Sequence, residues 1–366
     1  MAYVRKLEIE NCGCIRKASF TLTPLHALVG PNDSGKSTTL ATLRTATQFA
    51  ASEFTRAEAG ELLPFTPILD DKTPGRAIRF EYDHGLGYAV GSAEGAGLWD
   101  MALGKVRGVG AVDGPRQSRA LLGKAALFYA APDTLHSDQL LKTLRQHLTT
   151  STLVRLDPDA LRAPAPLIPR ANRIRFEDDR GKGLASVYDA ILNRDRKAFD
   201  AIEAAVRKAF PTVDHITLEN AGTTMKEPAA ILKGGTQVSA KEMSEGLLYF
   251  LGFSALQYCE GPTIFLVEEP ENGLHPSRIQ DVMRILRVIS ETSQVILATH
   301  SPLVVNELRP DEVTVVTRDE KGTHARLIKD TPEFEERSKV YALGELWVSY
   351  ANGVDEAPLL QGGARG

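Results

Sequence analysis

The sequence of 366 residues lacks several features that mark specialised classes of protein. Its three cysteines, at positions 12, 14 and 259, supply neither an even disulfide framework nor two spaced pairs for a zinc site. No apolar run approaches the roughly 20 residues that span a bilayer, and the N-terminus has no apolar signal core. We therefore expect an intracellular, cytoplasmic protein with reduced thiols and without a membrane partner.

Neither sign of charge dominates the composition. Lys and Arg number 43, Asp and Glu number 47, and the formal net charge is −4. Any nucleic-acid surface must therefore be a local patch. Hydrophobic residues at 43% and charged residues at 25% are ordinary values for a globular protein. The length allows one large α/β domain with an inserted subdomain, or two domains.

The sequence does contain a complete phosphate-binding loop. Residues 30–37 read Gly-Pro-Asn-Asp-Ser-Gly-Lys-Ser, which fits the pattern G-x-x-x-x-G-K-[ST]. The apolar residues 27–29 predict a buried strand before the loop, and residues 37–48 predict a helix after it. The two glycines let the backbone curl, so that several N–H groups and the helix N-terminus face one polyphosphate.

Two side chains of this loop have predicted roles in nucleotide binding. Lys36 is expected to reach the β- and γ-phosphate oxygens, and the Ser37 hydroxyl to ligate Mg²⁺. ATP and Mg²⁺ are therefore the predicted cofactors. The predicted cofactor-binding residues of the loop are Gly30, Pro31, Asn32, Asp33, Ser34, Gly35, Lys36, Ser37 and Thr38.

Two acidic residues follow a buried strand in the second half of the chain. The apolar run 263–267 predicts a strand whose C-terminal end carries Glu268 and Glu269. Ligands bind at this end of parallel strands. One carboxylate there can hold Mg²⁺, and the next can accept a proton from water that attacks the γ-phosphate. The alternative is a solvated strand end.

Two further segments offer groups for a phosphate. Residues 294–299 predict another buried strand, and His300 follows it, where an imidazole can hydrogen-bond a terminal phosphate. Ser244 and the N–H groups near Gly246 precede an apolar helix and would form a second anion site at a helix N-terminus. Alternatively, His300 is a structural histidine and Ser244 is only a helix N-cap.

Taken together, these segments resemble the Walker A, signature, Walker B and switch-histidine motifs of the ABC-type ATPases. The matching residues are Gly30 to Ser37, Met243 to Gly246, Ile264 to Glu269, and His300. The sequences of residues 268–276 and 298–302 resemble, more narrowly, the soluble RecF/SMC-like branch of these ATPases. Within that branch they are most similar to the compact AAA-named ATPases related to the ATPase part of OLD-family proteins.

The resemblance implies an α/β fold: a P-loop NTPase of ABC type with a mixed sheet core, an N-terminal antiparallel β subdomain and a helical insertion. The expected domains are an N-terminal ATPase lobe, an inserted and mainly helical subdomain, a C-terminal ATPase lobe, and a C-terminal helix with a mobile tail. Their boundaries are expected at 1–124, 125–235, 236–330 and 331–366.

The resemblance also implies a role for each site residue. Lys36, Glu269 and His300 would be catalytic, with Lys36 on the β/γ-phosphates, Glu269 as the general base and His300 as the γ-phosphate sensor. Ser37 and Glu268 would hold Mg²⁺, although many relatives carry Asp in place of Glu268. The glutamine that relatives place in a loop after the first helix is not evident.

In such ATPases the signature faces the nucleotide of a second subunit, so Ser244 and Gly246 imply a homodimer that forms head to tail on ATP. The residues after His300 are too few for the nuclease domain of OLD-type proteins. We therefore expect a separate effector protein, such as a nuclease, under an ATP-hydrolysing switch in anti-phage defence or DNA repair. The alternatives are a non-hydrolysing assembly scaffold and, disfavoured by the signature, a transporter subunit.

Two surface features are open to more than one interpretation. A group of arginines is either a patch for DNA or RNA or, as the interleaved carboxylates favour, part of a solvated loop. A C-terminal apolar stripe at helical spacing either packs on its own domain or docks a partner. The arginines are Arg116, Arg119, Arg155, Arg162, Arg170, Arg173 and Arg175, and the stripe is Val340, Leu343, Leu346, Trp347 and Tyr350.

Overall fold

The computed structural model describes residues 3–51, 77–81, 87–91, 126–129, 151–167, 173–320 and 322–351. These residues form two compact units, which are described separately. The first consists of the described parts of Met1–Ser151, Thr263–Leu266 and Ser293–Gly366, and the second of those of Thr152–Pro262 and Val267–Thr292. The chain therefore leaves the first unit and returns to it twice. The predicted domain boundaries stay a prediction.

The elements are numbered in chain order. The strands are β1 (Lys6–Cys12), β2 (Ile15–Thr21), β3 (Leu25–Val29), β4 (Ala77–Glu81), β5 (Gly87–Gly91), β6 (Ala126–Tyr129), β7 (Ser151–Val154), β8 (Ala165–Pro166), β9 (Val213–Asn220), β10 (Met225–Leu232), β11 (Gln237–Ser239), β12 (Ile264–Glu268), β13 (Gln294–Thr299), β14 (Val313–Asp319) and β15 (Gly322–Leu327). The α-helices are α1 (Lys36–Ala51), α2 (Pro158–Arg162), α3 (Leu184–Arg194), α4 (Arg196–Ala209), α5 (Glu245–Leu256), α6 (Pro276–Ile289), α7 (Pro302–Asn306), α8 (Phe334–Arg337) and α9 (Leu343–Ala351).

The first unit contains an antiparallel sheet of five strands in the order β2-β1-β4-β5-β6. The alternating sequences at 3–11 and 17–22, and those at 77–82 and 86–90, predict two antiparallel hairpins. Both are confirmed, because the first hairpin pairs Lys6 with Thr21 and the next pairs Ala77 with Gly91. Alternation explains the strands: Leu7 and Ile9 on β1 are buried, while polar neighbours on the other face are partly exposed.

The central sheet of the first unit contains β15, β14, β3, β13 and β12 in that order. β3 lies between β13 and β14 and is parallel to both, whereas β15 is antiparallel to β14, so the sheet is mixed as predicted. Every residue of β3 and β13 is buried, which accounts for their mostly apolar sequences. The last two residues of β12 belong to the second unit.

Two buried polar side chains in this sheet have hydrogen-bond partners. The Gln294 amide accepts from the N–H of Val4 at 3.0 Å and donates to the Val4 carbonyl at 2.9 Å, which fastens the N-terminal segment to β13. The His26 ring lies between the hydroxyls of Thr23 and Thr314, at 3.1 and 2.8 Å. Burial lowers the pKa of His26 to about 3, with a smaller opposing effect of Glu312, so this imidazole is neutral.

The predicted C-terminal stripe packs on its own unit. Leu346 and Trp347 of α9 are 1% and 3% exposed, and α9 contacts α7. Val340, which precedes the helix, is 75% exposed. Leu346 and Trp347 of the stripe are therefore buried, whereas Val340 is at the surface.

The second unit is built around an antiparallel sheet and helices. The sequence predicts edge strands at 216–219 and 229–232. The second of these predictions was wrong, because β10 pairs with β8, β9 and β11 and is the central strand. Helix α5 is buried from Leu247 to Leu256 and contacts α2, α3, α4 and α6. Gly252 lets it approach α2, because a Cβ there would lie 2.8 Å from Leu156 and 3.0 Å from Leu161. Between 125 and 235 the described residues thus combine helices with a sheet, where mainly helices were expected.

The sequence also predicts a turn at 83–85, a loop-dominated, glycine-rich stretch at 91–124 and a helix at 133–148. These segments, apart from residue 91, and the expected tail at 354–366 lie outside the described residues. None of the three cysteines is in a disulfide, as predicted. Within the described part of the chain, we find no helix with both the length and the apolar character needed to cross a membrane.

Candidate functional site

The phosphate-binding loop starts directly after β3 and packs against β14. A Cβ on Gly30 would lie 2.2 Å from the carbonyl oxygen of Val316 and 2.7 Å from the Ser34 hydroxyl. No side chain fits in that space without moving the backbone. Gly30 is therefore required by packing against a strand that lies almost 300 residues further along the chain.

The second glycine of the loop is required by both conformation and space. Gly35 has φ +107°, and a Cβ there would lie 2.8 Å from the Thr323 hydroxyl. Thr323, a buried residue of β15, donates a hydrogen bond to the Ser34 carbonyl at 3.1 Å. Asp33 also has a positive φ, +62°. Sequence reasoning missed Thr323, because a threonine in a distant strand carries no local signal of a loop contact.

The predicted phosphate-binding lysine is held inside the curl of the loop. The Lys36 ammonium donates to the carbonyls of Gly30 and Pro31 at 2.7 and 2.9 Å, and the residue is 6% exposed. Ser37 follows it in the first turn of α1 and is exposed. The free N–H groups and the positive dipole end of α1 also lie at this point.

An unsatisfied group in the loop fits a phosphate. The Ser34 hydroxyl is buried and has no hydrogen-bond partner among the described residues. Buried hydroxyls are normally paired, so this atom has room for one more partner, such as a phosphate oxygen. The donor set of hydroxyls, an ammonium and backbone N–H groups suits a polyphosphate, and the exposed Ser37 hydroxyl suits Mg²⁺. All nine residues predicted for the loop, 30–38, lie in this loop and in the first turn of α1.

His300 lies at the same edge of the central sheet as the loop. β13 and β3 are parallel neighbours, and Thr299 pairs with Val29, so His300 and Gly30 are each the first residue beyond a paired position. His300 is exposed, and its carbonyl accepts a hydrogen bond from the Trp347 indole at 3.2 Å. Within the first unit, the fold thus places the histidine beside the phosphate loop.

The two acidic residues belong to the second unit. Glu268, the last residue of β12, is half-buried, and its Oε2 lies 3.7 Å from the Nε of Arg155. Glu269 is also half-buried and has φ +46°, a left-handed conformation that is rare for a residue other than glycine. Its carbonyl accepts from the N–H of Asn272 at 3.0 Å, which closes the turn. Strained residues of this kind cluster at functional sites.

The signature segment and the turn after Glu269 are in contact within the second unit. A Cβ on Gly273 would lie 2.2 Å from the Tyr249 ring of α5, and a Cβ on Gly246 would lie 3.5 Å from the Gly273 carbonyl. Gly273 has φ +67°. Burial raises the pKa of Tyr249, with a smaller effect of Glu245. Gly273 and Tyr249 are not among the predicted site residues, although a glycine after Asn is a recognisable turn signal.

Ser244 is the N-cap of α5. Its hydroxyl accepts a hydrogen bond from the N–H of Leu247 at 3.3 Å, and the side chain is exposed. The simpler of the two predicted roles is therefore present. The other role, facing the nucleotide of a second subunit, stays a prediction for both Ser244 and Gly246.

Two of the four described arginines of the predicted patch lie close to carboxylates. Arg155 faces Glu268, and Arg162 pairs with Asp159 at 2.9 Å. Arg180, nearby in the chain, pairs with Asp157 at 2.9 Å. Burial raises the pKa of Asp157, but hydrogen bonds from Arg180 and from the N–H of Ala160 outweigh it, and the pKa is lowered. These pairs agree with a solvated surface. Arg116, Arg119 and Arg170 lie outside the described residues.

Three features define the class of this protein. They are the mixed sheet, the phosphate loop between β3 and α1, and the position of β13 beside β3, with His300 directly after β13. This is the fold of a P-loop NTPase of the ABC type, in the RecF/SMC-like branch. The structure is similar to that of an SMC head bound to the C-terminal winged-helix domain of ScpA, with a TM-score of 0.53 and 14% identity over 88% of this chain and 97% of that one. It is also similar to an SMC head with an extended coiled coil bound to the C-terminal domain of ScpA, from Pyrococcus furiosus. That match has a TM-score of 0.51 and 11% identity over 93% of this chain and 100% of the other.

The chain belongs to the family described as "AAA domain, putative AbiEii toxin, Type IV TA system", whose model matches residues 120–306. The match includes the signature segment, both acidic residues and His300, and it begins after the phosphate loop. The loop is therefore identified by its own motif and geometry. The narrower link to the OLD-family ATPases stays a prediction.

Proposed function

We propose that this protein binds and hydrolyses Mg-ATP. The observation that carries the proposal is the preformed loop, in which Lys36 is buried against two backbone carbonyls and the Ser34 hydroxyl is left without a partner among the described residues. A loop that already encloses the Lys36 ammonium and backbone N–H donors binds polyphosphate without large rearrangement. ATP is the substrate that such a loop serves in P-loop NTPases.

The chemical roles follow from the residues. Ser37 and Glu268 would hold Mg²⁺, which supplies positive charge to the β- and γ-phosphates. Glu269 accepts the proton of the attacking water, and Lys36 stabilises charge on the transferred phosphoryl group. His300 donates a hydrogen bond to the γ-phosphate, which distinguishes ATP from ADP.

Helix α5, which carries the signature segment at its N-terminus, makes dimer formation by the proposed ATPase depend on the bound nucleotide. The N-terminus of α5 carries an exposed capping serine and the positive end of a helix of twelve residues. A second copy of the chain, with ATP in its loop, would place a γ-phosphate at this helix end, so ATP favours a head-to-tail dimer and ADP does not.

A partner protein would read the state of this dimer. The SMC heads with similar folds are described in complex with ScpA domains, and the family description names a toxin system. We place the switch in anti-phage defence or DNA repair, upstream of a separate effector such as a nuclease, with nucleic acid as a second candidate ligand. This setting rests on resemblance alone.

The test is a single-turnover assay with radiolabelled ATP, comparing the wild type with Glu269→Gln and with Glu271→Gln. Glu271→Gln tests the competing candidate for the base, because Glu271 is a half-buried acid two residues further on and its carboxylate lies within 4.8 Å of that of Glu269. We expect Glu269→Gln to lose about 100- to 10,000-fold in rate, the usual contribution of a general base, and to keep bound ATP in a dimer. Sedimentation of the same samples measures the dimer.

Each outcome has a defined meaning. Full activity in Glu269→Gln together with loss in Glu271→Gln overturns the assignment of the base. Tight ATP binding without phosphate release in the wild type overturns hydrolysis and supports the assembly scaffold. An absence of ATP binding overturns the proposed function itself.

A further inference from the structure

The C-terminal helix α9 is fastened to the segment that follows β13 by three contacts within the first unit. The Trp347 indole N–H donates to the His300 carbonyl at 3.2 Å, and the N–H of Gly344 donates to the Asn306 side-chain oxygen at 2.7 Å. A Cβ on Gly344 would lie 2.2 Å from the carbonyl oxygen of Pro302. The helix thus lies directly on α7, with no space for a larger residue.

The first of these contacts reaches the backbone of the predicted γ-phosphate sensor. His300 is the first residue beyond the paired positions Val29 and Thr299, beside the phosphate loop. Its backbone carbonyl is held by a tryptophan that is 3% exposed. A buried donor of this kind cannot move without losing its hydrogen bond or its packing.

We propose that Trp347 is a positioning residue for His300, and that through it α9 responds to the γ-phosphate of bound nucleotide. The inference rests on the proposed function, because it requires ATP in the loop. When the His300 ring binds the terminal phosphate, its backbone adjusts, and the hydrogen bond to the Trp347 indole changes with it. ADP has no γ-phosphate and leaves this bond as it is.

The intrinsic fluorescence of Trp347 tests this directly. The chain has two tryptophans, and the other is Trp99. In Trp99→Phe or, if that variant does not fold, Trp99→Tyr, the emission comes from Trp347 alone. The variant also carries Glu269→Gln, so that ATP is not consumed. We expect MgATP to shift the emission in a saturable way, and MgADP to leave it unchanged while bound.

A double-mutant cycle separates positioning from general packing. Trp347→Phe keeps an aromatic ring and removes the N–H donor. We expect it to lower the affinity for ATP relative to ADP about three- to tenfold, the usual range for one hydrogen bond. In a His300→Ala background the same change should have no further effect, because Trp347 acts through His300. Val348→Ala, at the neighbouring and more exposed position of α9, is the control and should leave the preference unchanged.

The outcomes distinguish this inference from the proposed function. If nucleotide binds and Lys36→Ala abolishes the binding, but the Trp347 emission is the same with ATP and ADP, the inference is wrong and the ATPase proposal stands. Equal losses from Trp347→Phe with and without His300 also overturn it. If neither nucleotide binds, both proposals are wrong.

Discussion

The two units hold their parts of the predicted site in different ways. In the first unit, strands from far along the chain enclose the phosphate loop. Gly30 packs against β14, and Gly35 packs against Thr323 of β15. In the second unit, Glu269 takes a strained backbone conformation, φ +46°, in a turn that packs on α5 through Gly273.

This difference suggests a division of labour. A loop fixed on several sides presents donors that do not need to move, which suits binding. A strained acidic residue in a short turn suits a group whose position must be set for one chemical step. The following predictions test whether the two units divide in this way.

The largest effect is expected from Gly30→Ala in the first unit. The new methyl group would lie 2.2 Å from the Val316 carbonyl, so the loop must shift. Because overpacking costs about 1–3 kcal/mol, and 1.4 kcal/mol corresponds to a factor of ten in affinity, we expect ATP affinity to fall about 10- to 100-fold in a calorimetric titration. Gly222→Ala, with open space around it in the second unit, is the control. Unchanged affinity in Gly30→Ala would show that the loop is not the binding site.

A smaller effect is expected from Gly273→Ala in the second unit. Gly273 and Gly234 both have positive φ, +67° and +110°, but only Gly273 faces a ring, that of Tyr249, whereas nothing lies within 4 Å of Gly234. Overpacking should therefore make Gly273→Ala about 2 kcal/mol less stable than Gly234→Ala in urea unfolding. Equal losses would mean that Tyr249 moves aside and that the turn is not held by α5.

Substitutions of Ser244 separate its two roles. Removing the cap in Ser244→Ala should lower the free energy of unfolding by about 1 kcal/mol, whereas Ser244→Asp keeps a good N-cap. If the helix end also faces a γ-phosphate, the added negative charge in Ser244→Asp should abolish the ATP-dependent dimer in sedimentation experiments. A Ser244→Asp protein that dimerises on ATP like the wild type would reduce Ser244 to a cap.

The last effect, which is the smallest of these near neutral pH, concerns His26 in the first unit. Its pKa is lowered from 6.5 to about 3 in the folded protein. Between these values the unfolded chain binds the proton and the folded chain does not, so stability falls as the pH drops below 6.5 and levels off near 3. At pH 6 this loss is about 0.8 kcal/mol, increasing by about 1.4 kcal/mol for each further pH unit. Denaturation of His26→Gln should lack this part of the pH dependence, and an identical profile would contradict it.

The sequence predicts the parts of this molecule that depend on local pattern. The motif around Lys36 and the apolar sequences of β3 and β13 are local, and the structure has the loop, the strands and α1 where they were expected. The apolar sequence predicts helix α5 from Leu247 to Tyr258. Its start is predicted two residues late, because Ser244 caps the helix and Glu245 already belongs to its first turn.

Other features depend on contacts between distant residues. Thr323 and Val316 touch the loop only because β14 and β15 lie on the same side of β3, and no pattern in their own strands shows this. The central position of β10 depends on partners with which it pairs across loops. The helical spacing around Trp347 predicts a buried face but not the His300 carbonyl that it binds. The left-handed backbone of Glu269 is set by its turn, since glutamate rarely adopts it.

The central claim is that the loop around Lys36 binds Mg-ATP. Calorimetric titration of the wild type and of Lys36→Ala with Mg-ATP tests it most directly, with thermal unfolding of both proteins as the check on folding. We expect saturable binding by the wild type and a loss of at least about 100-fold in Lys36→Ala, because the buried ammonium is the main positive charge of the loop. Equal affinity in two folded proteins, or no binding by the wild type, would contradict it.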